Sequence, residues 1–497
     1  MHVVWLKRDL RSTDHGPLYN ASLSQEILVL YIVEDEIISQ PDYGANHHHF
    51  IADSIRELQK TLLEQYNIQL HVFRGEVTKI FDEINRQRKI EHIHSHIEVG
   101  NMATYIRDKR VKKWCGQQEI LWKEYSIHEV ARPNHSRDNW GGKWHEEMEQ
   151  SCFESPVKQM QKIIINSGSR ILEFPLCSEL CLGQIAPNIQ RGGKSQAYAM
   201  LESFLYRTGF DYRTQMSSPL TAYDTCSRIS PHLSYGTMSI REVYRIAIAF
   251  SSLLPKDKNR YRRKKSLESF ISRLHWRGHF MQKLEDEVQI EFHCMHSAYE
   301  DIRSVTDDKH QTQMLEAWKN GRTGYPLVDA CIRSLCHTGW LNFRMRAMIV
   351  SFACYNLWLD WRVIKDWLAC QFTDYEPGIH ICQLQMQAGV TGINSIRVYN
   401  PIKQAKEQDP KGVFIRRWVP ELRDVPTEFI HRPYQIPPLI EMMNPINRHE
   451  YPNEIVDFES TSRIAKDRIY NIRKQKEARC ESQRIFEQHG SRRKSST

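Results

Sequence analysis

The first 125 residues alternate short β-rich runs with helical stretches, and few folds satisfy that rhythm. HVVWLK, EILVLYIV, IQLHVF and IEHIHSHI read as strands, with amphipathic segments such as HHFIADSIRELQKTLLEQY between them. This is the βαβ pattern of a parallel sheet, so residues 1–125 are predicted to form a doubly wound, Rossmann-like α/β domain. No GxGxxG or P-loop occurs in it, so ordinary dinucleotide or nucleoside triphosphate binding lacks its mechanical parts. Ligands in such sheets bind at the carboxyl ends of the strands, which points to the loops after Leu6, Val33 and His96. In KRDLRSTDH, Lys7, Arg8 and Arg11 stand with Asp9 and Asp14 just past the first strand. A salt-bridge cluster that orders the loop and a ligand site both fit that composition.

Periodicity fades over residues 126–192, where HEVARPNHSRDNWGGKWHEEM and EFPLCSELCLGQIAPNIQRGG are rich in turn formers, as in a long interdomain connection. From 193 to 433 the pattern is helical, with few strand signals before SIRVYNP. Ser239 with Glu242 three places on forms a capping box that opens an apolar helix. Residues 434–497 make a polar, basic, helix-prone extension, suited either to lie along DNA phosphates or to be a solvated tail.

A 497-residue chain with 40% hydrophobic content has cores for two or three domains. Its 68 Lys and Arg against 60 Asp and Glu favour a polyanionic partner without requiring one. Charges arrive by the seventh residue and no apolar run reaches the roughly 18 residues of a membrane span, so a soluble, cytoplasmic protein is expected. Twelve cysteines are scattered without a CxxC pair, and no metal centre is expected. His47, His48 and His49 point to different faces of a helix and read as surface or packing residues.

Four stretches of the helical region carry polar groups where a plain core would not. In TCSRISPHLSYG, Ser230 before Pro231 suits a helix cap, and Ser227, Ser230 and Arg228 also suit one bound phosphate. In FISRLHWRGHFMQKLEDE, Trp276 is interleaved with Arg273, His275, Arg277 and His279, which fits base stacking beside phosphates and fits an ordinary amphipathic helix equally. TGWLNFRMR places Asn342, Arg344 and Arg346 against an apolar run, and FTDYEPGIH supplies the carboxylates Asp374 and Glu376 that buried arginines need. Arg344 and Arg346 face nearly opposite ways on a helix, so one can serve a site while the other braces the fold.

HVVWLKRDLRSTDHGPL, SRISPHLSYGTMS, GRTGYPLVDACIRSLCHTGWLNFRMRAM, WLDWR and FIRRWVPELRDVP, in this order, closely resemble the DNA photolyase and cryptochrome family. The resemblance runs from residue 1 to about 433 and excludes the iron–sulfur branch, since only Cys480 remains after residue 383. It implies an α/β domain with room for a second, antenna chromophore of folate or deazaflavin type, followed by a larger all-α domain that binds FAD. It implies UV-damaged DNA as partner, a monomer, and light-driven splitting of pyrimidine dimers.

By the same resemblance Tyr212, Cys226, Ser227, Arg228, Ile229 and Ser230 match FAD phosphate-binding positions, and Trp276 and Arg277 match the helix between flavin and lesion. Arg346 and Asp374 match an ion pair at the reactive edge of the flavin, with Tyr375 beside them and Glu376 a second carboxylate for the ring imide or ribose. His380 falls where the family faces flavin N5, and Trp361 matches the middle of its tryptophan relay. Arg273, His275, Trp276, His279, Asn342 and Phe343 fall at the DNA and lesion side.

The departures are informative. Arg273 replaces a lesion-binding Glu of the pyrimidine-dimer enzymes, and Asn342 and Phe343 replace the paired histidines of (6-4) enzymes. The proximal relay position falls in IHICQLQMQAG, which has no Trp, and the distal one near Asp308. Tyr355, Trp358, Trp367, Tyr399 and Trp418 are the alternative relay aromatics. A cryptochrome-like blue-light photoreceptor therefore stands as the alternative to a repair lyase.

Overall fold

The computed structural model describes residues 1–491 apart from 25, 128–129, 133–136, 157–162, 164, 166, 304–308 and 444–449. The distal relay position near Asp308 lies outside the described residues. Strands β1 (His2–Leu6), β2 (Ile27–Val33), β3 (Leu70–Arg74), β4 (His92–His96) and β5 (Leu121–Tyr125) form a parallel sheet, and β6 (Arg170–Ile171) adds to its edge antiparallel to β3. The order is β5-β4-β1-β2-β3-β6, so strand order reverses between β1 and β4, where doubly wound sheets open a ligand crevice. Val3, Trp5, Leu28 and Leu30 enter one apolar layer and Val4, Leu6, Val29 and Val33 the other. Burial on both faces explains the near-continuous apolar runs of β1 and β2.

The four predicted strands are present. The connection is more structured than its turn-rich sequence suggests, because it supplies β6 and the helix Trp140–Glu149, which buries Trp140 and Trp144. Ser239 caps helix Ile240–Ser252, accepting from the Glu242 amide at 3.0 Å. The Glu242 carboxylate, however, takes the Tyr198 hydroxyl, so only half of the predicted capping box forms. SIRVYNP is not a strand; residues 395–400 run without regular structure into helix Pro401–Gln408.

The centre of the helical region is the long helix Arg260–Asp286, crossed closely by helix Pro377–Ala388. At the crossing a Cβ on Gly378 would stand 2.8 Å from the Met281 Cα, so only glycine permits this approach. The basic extension is not a solvated tail over its described part. Helices Phe458–Arg473 and Lys476–His489 bury Phe458, Ala465, Ile469 and Ile485 in the main helical core. Asn356 bonds the Thr461 and Ser462 hydroxyls at 3.0 and 2.9 Å, which fixes the first of them. Their apolar stripe was masked in the sequence by the many charges on the outer faces.

Several histidines are buried, as the packing reading of the His47–His49 run anticipates. His47 Nε2 lies 2.9 and 3.0 Å from the Ala369 and Phe372 carbonyls, tying helix Ala45–Tyr66 to the helical region. At the carboxyl ends of β1 and β4, Asp9 Oδ2 lies 2.6 Å from His96 Nδ1 and 3.0 Å from His15 Nε2. His15 Nδ1 accepts from the Leu18 amide, so its proton sits on the Nε2 that faces Asp9. His96 is hydrogen-bonded to the Asp9 carboxylate, while His15 Nε2 faces it without hydrogen-bond geometry and, carrying the ring proton, is unsuited to ligate a cation.

Burial pushes His47, His71, His94 and His380 down to about 4, His96 and His232 to about 3, and His279 to about 2. The unfolded chain takes up these protons near pH 6.5 and the native state resists them, so stability falls as pH drops from about 6.5 toward 4. Glu34, raised by burial to about 7, opposes this, since there the native state holds the extra proton, and Glu285, Glu291, Asp329, Asp360 and Asp409, also raised by burial, act in the same direction. The melting midpoint should hold between about pH 7 and 8 and drop by at least about 5 °C by pH 5. Calorimetry that finds it unchanged at pH 5 would show that these imidazoles titrate normally.

Candidate active site

FTDYEPGIH leads from helix Trp361–Gln371 into helix Pro377–Ala388, and three consecutive side chains in it go to three different parts of the molecule. Asp374 Oδ2 accepts from Arg346 Nη2 at 2.8 Å and from the Ser230 hydroxyl at 2.7 Å. Burial pushes the Asp374 carboxyl up, but the Arg346 charge and the hydrogen bonds from Arg346 and Ser230 outweigh it, holding the group below the usual carboxylate range. The Tyr375 hydroxyl donates to Asp42 Oδ2 at 2.6 Å in the α/β domain. Glu376 pairs with Arg277 of the long helix and, at 3.8 Å, with Arg8 from the loop after β1.

Local sequence explains the convergence. Arg346 lies one turn into helix Phe343–Ser351, where its Nε also donates to the Leu341 carbonyl at 2.6 Å and its guanidinium lies 4.1 Å over the Phe372 ring. Arg344, on the other side, donates to Gln404 at 3.2 Å and braces the fold, as the sequence predicts. The predicted cap at Ser230 is shifted by one residue: Ile229 is the N-cap of helix Ser230–Ser234, and the Ser230 hydroxyl is spent on Asp374. Arg8 donates to the Ser234 and Tyr375 carbonyls at 2.9 and 2.6 Å. Gly236, with φ +63°, lets its segment meet this loop, because a Cβ there would stand 2.3 Å from the Arg8 carbonyl oxygen. Sequence reasoning left Arg8 as one member of a charged loop and missed this reach.

Arg228, also with positive φ (56°), is clamped between the rings of Tyr223 and Trp340 at 4.1 and 4.2 Å. Its carbonyl accepts from Gln190 at 2.8 Å. Gln190, Tyr223 and Trp340 were not predicted, and the aromatic residue inside TGWLNFRMR was the available signal. Tyr212 is buried against Phe204 and Phe270, Cys226 and Ser227 are half-buried, and Ile229 is buried. Burial pushes the Cys226 thiol up to about 12, so it is a neutral group. Arg228 Nε and Asp374 Oδ1 are buried without a hydrogen-bond partner among the described residues. A buried cation and a carboxylate oxygen left in this state mark a place for a polar ligand.

The predicted lesion-facing residues divide. Arg273, Trp276 and Phe343 are exposed, the last two by 36% and 53%. His275 instead lies 5.0 and 5.1 Å from the Trp140 and Trp144 rings, and His279 is buried against Trp140 with Arg137 bonded to it at 3.3 Å. Both belong to the face of the long helix covered by the connection. Asn342 is buried as the N-cap of its helix and donates to the Met216 and Ser217 carbonyls at 3.1 and 2.8 Å, so it cannot meet a lesion.

Three other expected site residues have different surroundings. His380 is bonded through Nε2 to the Lys365 carbonyl at 2.9 Å and lies 5.2 Å from the Tyr375 ring; with its pKa near 4 it is a neutral imidazole, not a protonated group for N5. Tyr375 turns toward His47, 5.4 Å away, and Asp42. Trp361 is fully buried at the start of its helix with the Arg362 guanidinium 5.2 Å over it.

A cavity of about 90 Å³ opens at the carboxyl ends of β1, β2 and β4, where the fold predicts one, lined among others by Lys7, Tyr31, Glu34, Tyr43, Asn101 and Arg107. Arg107 pairs with Glu34 at 2.7 Å across it.

The profile of DNA photolyase matches residues 2–145, and that of the FAD binding domain of DNA photolyase matches residues 270–471. The chain is 27% identical to a deoxyribodipyrimidine photo-lyase of Streptomyces griseus over 92% of its own length and 96% of the relative's. It is 25% identical to a cryptochrome DASH of Gloeobacter violaceus, covering 94% and 95% of the two chains. The solved archaeal photolyase from Sulfolobus tokodaii, which holds two FAD molecules, superposes with a TM-score of 0.75 at 27% identity over 95% of this chain and all of that one. This chain belongs to the DNA photolyase and cryptochrome family, with an FAD-binding helical region behind an α/β domain. Among its described residues no helix is long and apolar enough to cross a membrane.

Replacing Asp374 by alanine removes the carboxylate that fixes Arg346 and Ser230. The Asp374→Ala protein should lose about 1–3 kcal/mol of stability and most of its bound flavin during gel filtration. Wild-type flavin absorbance and an unchanged urea midpoint would refute the role of this pair.

Proposed function

We propose that this protein is a light-driven DNA repair lyase that splits UV-induced pyrimidine dimers. What supports the reading is the fixed Arg346–Asp374–Ser230 cluster, tied through the neighbouring Glu376–Arg277 pair to the helix that carries the exposed Arg273 and Trp276. FAD, when bound and reduced, would supply light-driven one-electron chemistry that splits the dimer with no net redox change. Tyr212, Cys226, Ser227, Arg228, Ile229 and Ser230 are assigned to its phosphates, and Arg277, Arg346, Asp374 and Glu376 to its ring and ribose.

The chain's own residues supply position and charge. Arg346 is held from two sides and needs no rearrangement to meet negative charge on a ring beside it. Trp276 offers a stacking surface to a flipped base, and Arg273 a cation to the neighbouring phosphate. The cavity at the ends of β1, β2 and β4 is assigned to an antenna chromophore.

The burial of Asn342 and the absence of a carboxylate at position 273 favour one alternative, a cryptochrome-like photoreceptor that keeps the flavin and signals to a partner. The photoreduced protein should be incubated with oligonucleotides carrying either a cyclobutane dimer or a (6-4) product, in light and in darkness. Repair predicts that at least one lesion disappears in light at about ten times the dark rate or faster. Loss of neither lesion above the dark control would sink the repair reading and leave the photoreceptor.

A further inference from the structure

The long helix carries one feature that the flavin site does not use. Residues 256–265, KDKNRYRRKK, hold seven basic residues and one acidic one, and the helix Arg260–Asp286 begins within them. Its first turn contains no acidic residue and its N-cap makes no side-chain bond. Cations at this end oppose the helix dipole and disfavour the helix, so local folding does not account for the run. Asp211, Asp257 and Glu268 pair with Arg262, Arg263 and Lys265, but Lys256, Lys258, Arg260 and Lys264 have no carboxylate in salt-bridge range among the described residues. Tyr261 projects among them, 73% exposed.

The helical repeat connects this run to the site. Positions 262, 265, 269, 273 and 276 are spaced three or four apart, and at 3.6 residues per turn they share one face. That face reads Arg262, Lys265, Ser269, Arg273, Trp276, and none of these residues is buried. His275 and His279 point away from it into the packed connection. At about 1.5 Å per residue the stripe is about 21 Å long, and its far end is the basic run.

We infer that this face is a phosphate track that holds one arm of the DNA, on one side of the lesion only, along the first half of the helix. The inference rests on the proposed reading of Trp276 as the lesion-facing ring. Phosphates on one strand advance about 3.4 Å along the duplex axis, so the track spans about six nucleotides. A polyanion is the partner whose charge relieves the conflict of these cations with the helix dipole; the unpaired Lys256, Lys258, Arg260 and Lys264 flank the far end of the track, whose own Arg262 and Lys265 are paired with Asp211 and Glu268. Arg273, which breaks the family pattern where a carboxylate is usual, is then the member of the track nearest the lesion.

The test uses the flavin-loaded full chain and two duplexes, each with one cyclobutane dimer, one extended by about twelve base pairs on one side and by three on the other, the second its mirror image. The wild-type protein should prefer one duplex by about fivefold or more. In the Arg262→Gln, Lys264→Gln, Lys265→Gln variant that preference should vanish, and the slope of log affinity against log salt should shrink by about two to three. Its melting midpoint should be unchanged or higher, because cations have left the helix start. Equal wild-type affinity for the mirror pair, or a variant with the wild-type salt slope, overturns the track while leaving repair intact. A variant that only melts earlier shows the run to be structural and also overturns it. A wild-type protein that binds neither duplex overturns the track together with the repair reading beneath it.

Discussion

Asp374 and Glu376 are buried carboxylates one residue apart, and the molecule is arranged around the need to pair both. An isolated buried anion is too costly to persist, so each requires cations brought from elsewhere in the chain. Asp374 draws Arg346 from the helix after TGWL, while Glu376 draws Arg277 from the long helix and Arg8 from the α/β domain. Tyr375 between them reaches Asp42, which Asn101 also holds with bonds of 3.2 and 3.0 Å. One three-residue segment thus sets the positions of four distant pieces. The sheet domain is part of the site's frame, since Arg8 also donates to the Ser234 carbonyl beside the Ser230 helix.

Much of this was legible in the sequence, for different reasons. Strands buried on both faces produce apolar runs, so β1 to β4 were visible; β5, a polar edge strand with three exposed residues of five, was not. The opposed roles of Arg344 and Arg346 followed from helical geometry, and the carboxylate partner of Arg346 from the demand for a buried anion, whereas Arg344 meets the neutral Gln404 amide. Long-range contacts such as that of Arg8 leave no local trace. The long helix buries Leu267, Phe270 and Leu274 in one cluster and Leu284 in another, so its pattern could not show that His275 and His279 face protein. Asn342 was expected to face the lesion; its amide is spent instead on the Met216 and Ser217 carbonyls, a long-range contact with no local trace.

The charges near the proposed flavin position are permanent ones. His380, the only titratable imidazole expected there, is neutral because burial depresses it to about 4 and its Nε2 is committed to a carbonyl. The cation available is a guanidinium, which does not titrate in the physiological range. A flavin beside Arg346 would meet the same positive charge from pH 5 to pH 8. Any pH dependence of the bound cofactor in that range would have to come from the ring itself or from loss of the fold.

The exposed face has a consequence for substrate choice. Arg273, Trp276 and Phe343 present a cation and two rings, groups that bind phosphates and the flat faces of bases. The two rings read no hydrogen-bonding edge of a base, which leaves Arg273 as the one group of the three able to do so. With Asn342 tied to carbonyls, no amide or imidazole from that stretch is left to recognise one lesion chemistry. On the proposed repair reading, discrimination on such a surface draws on the cost of extruding the dimer, which is lower for a damaged, poorly stacked pair than for an intact one. A site of this kind selects by how easily a base pair deforms, and so admits lesions that share weak stacking more readily than lesions that share functional groups.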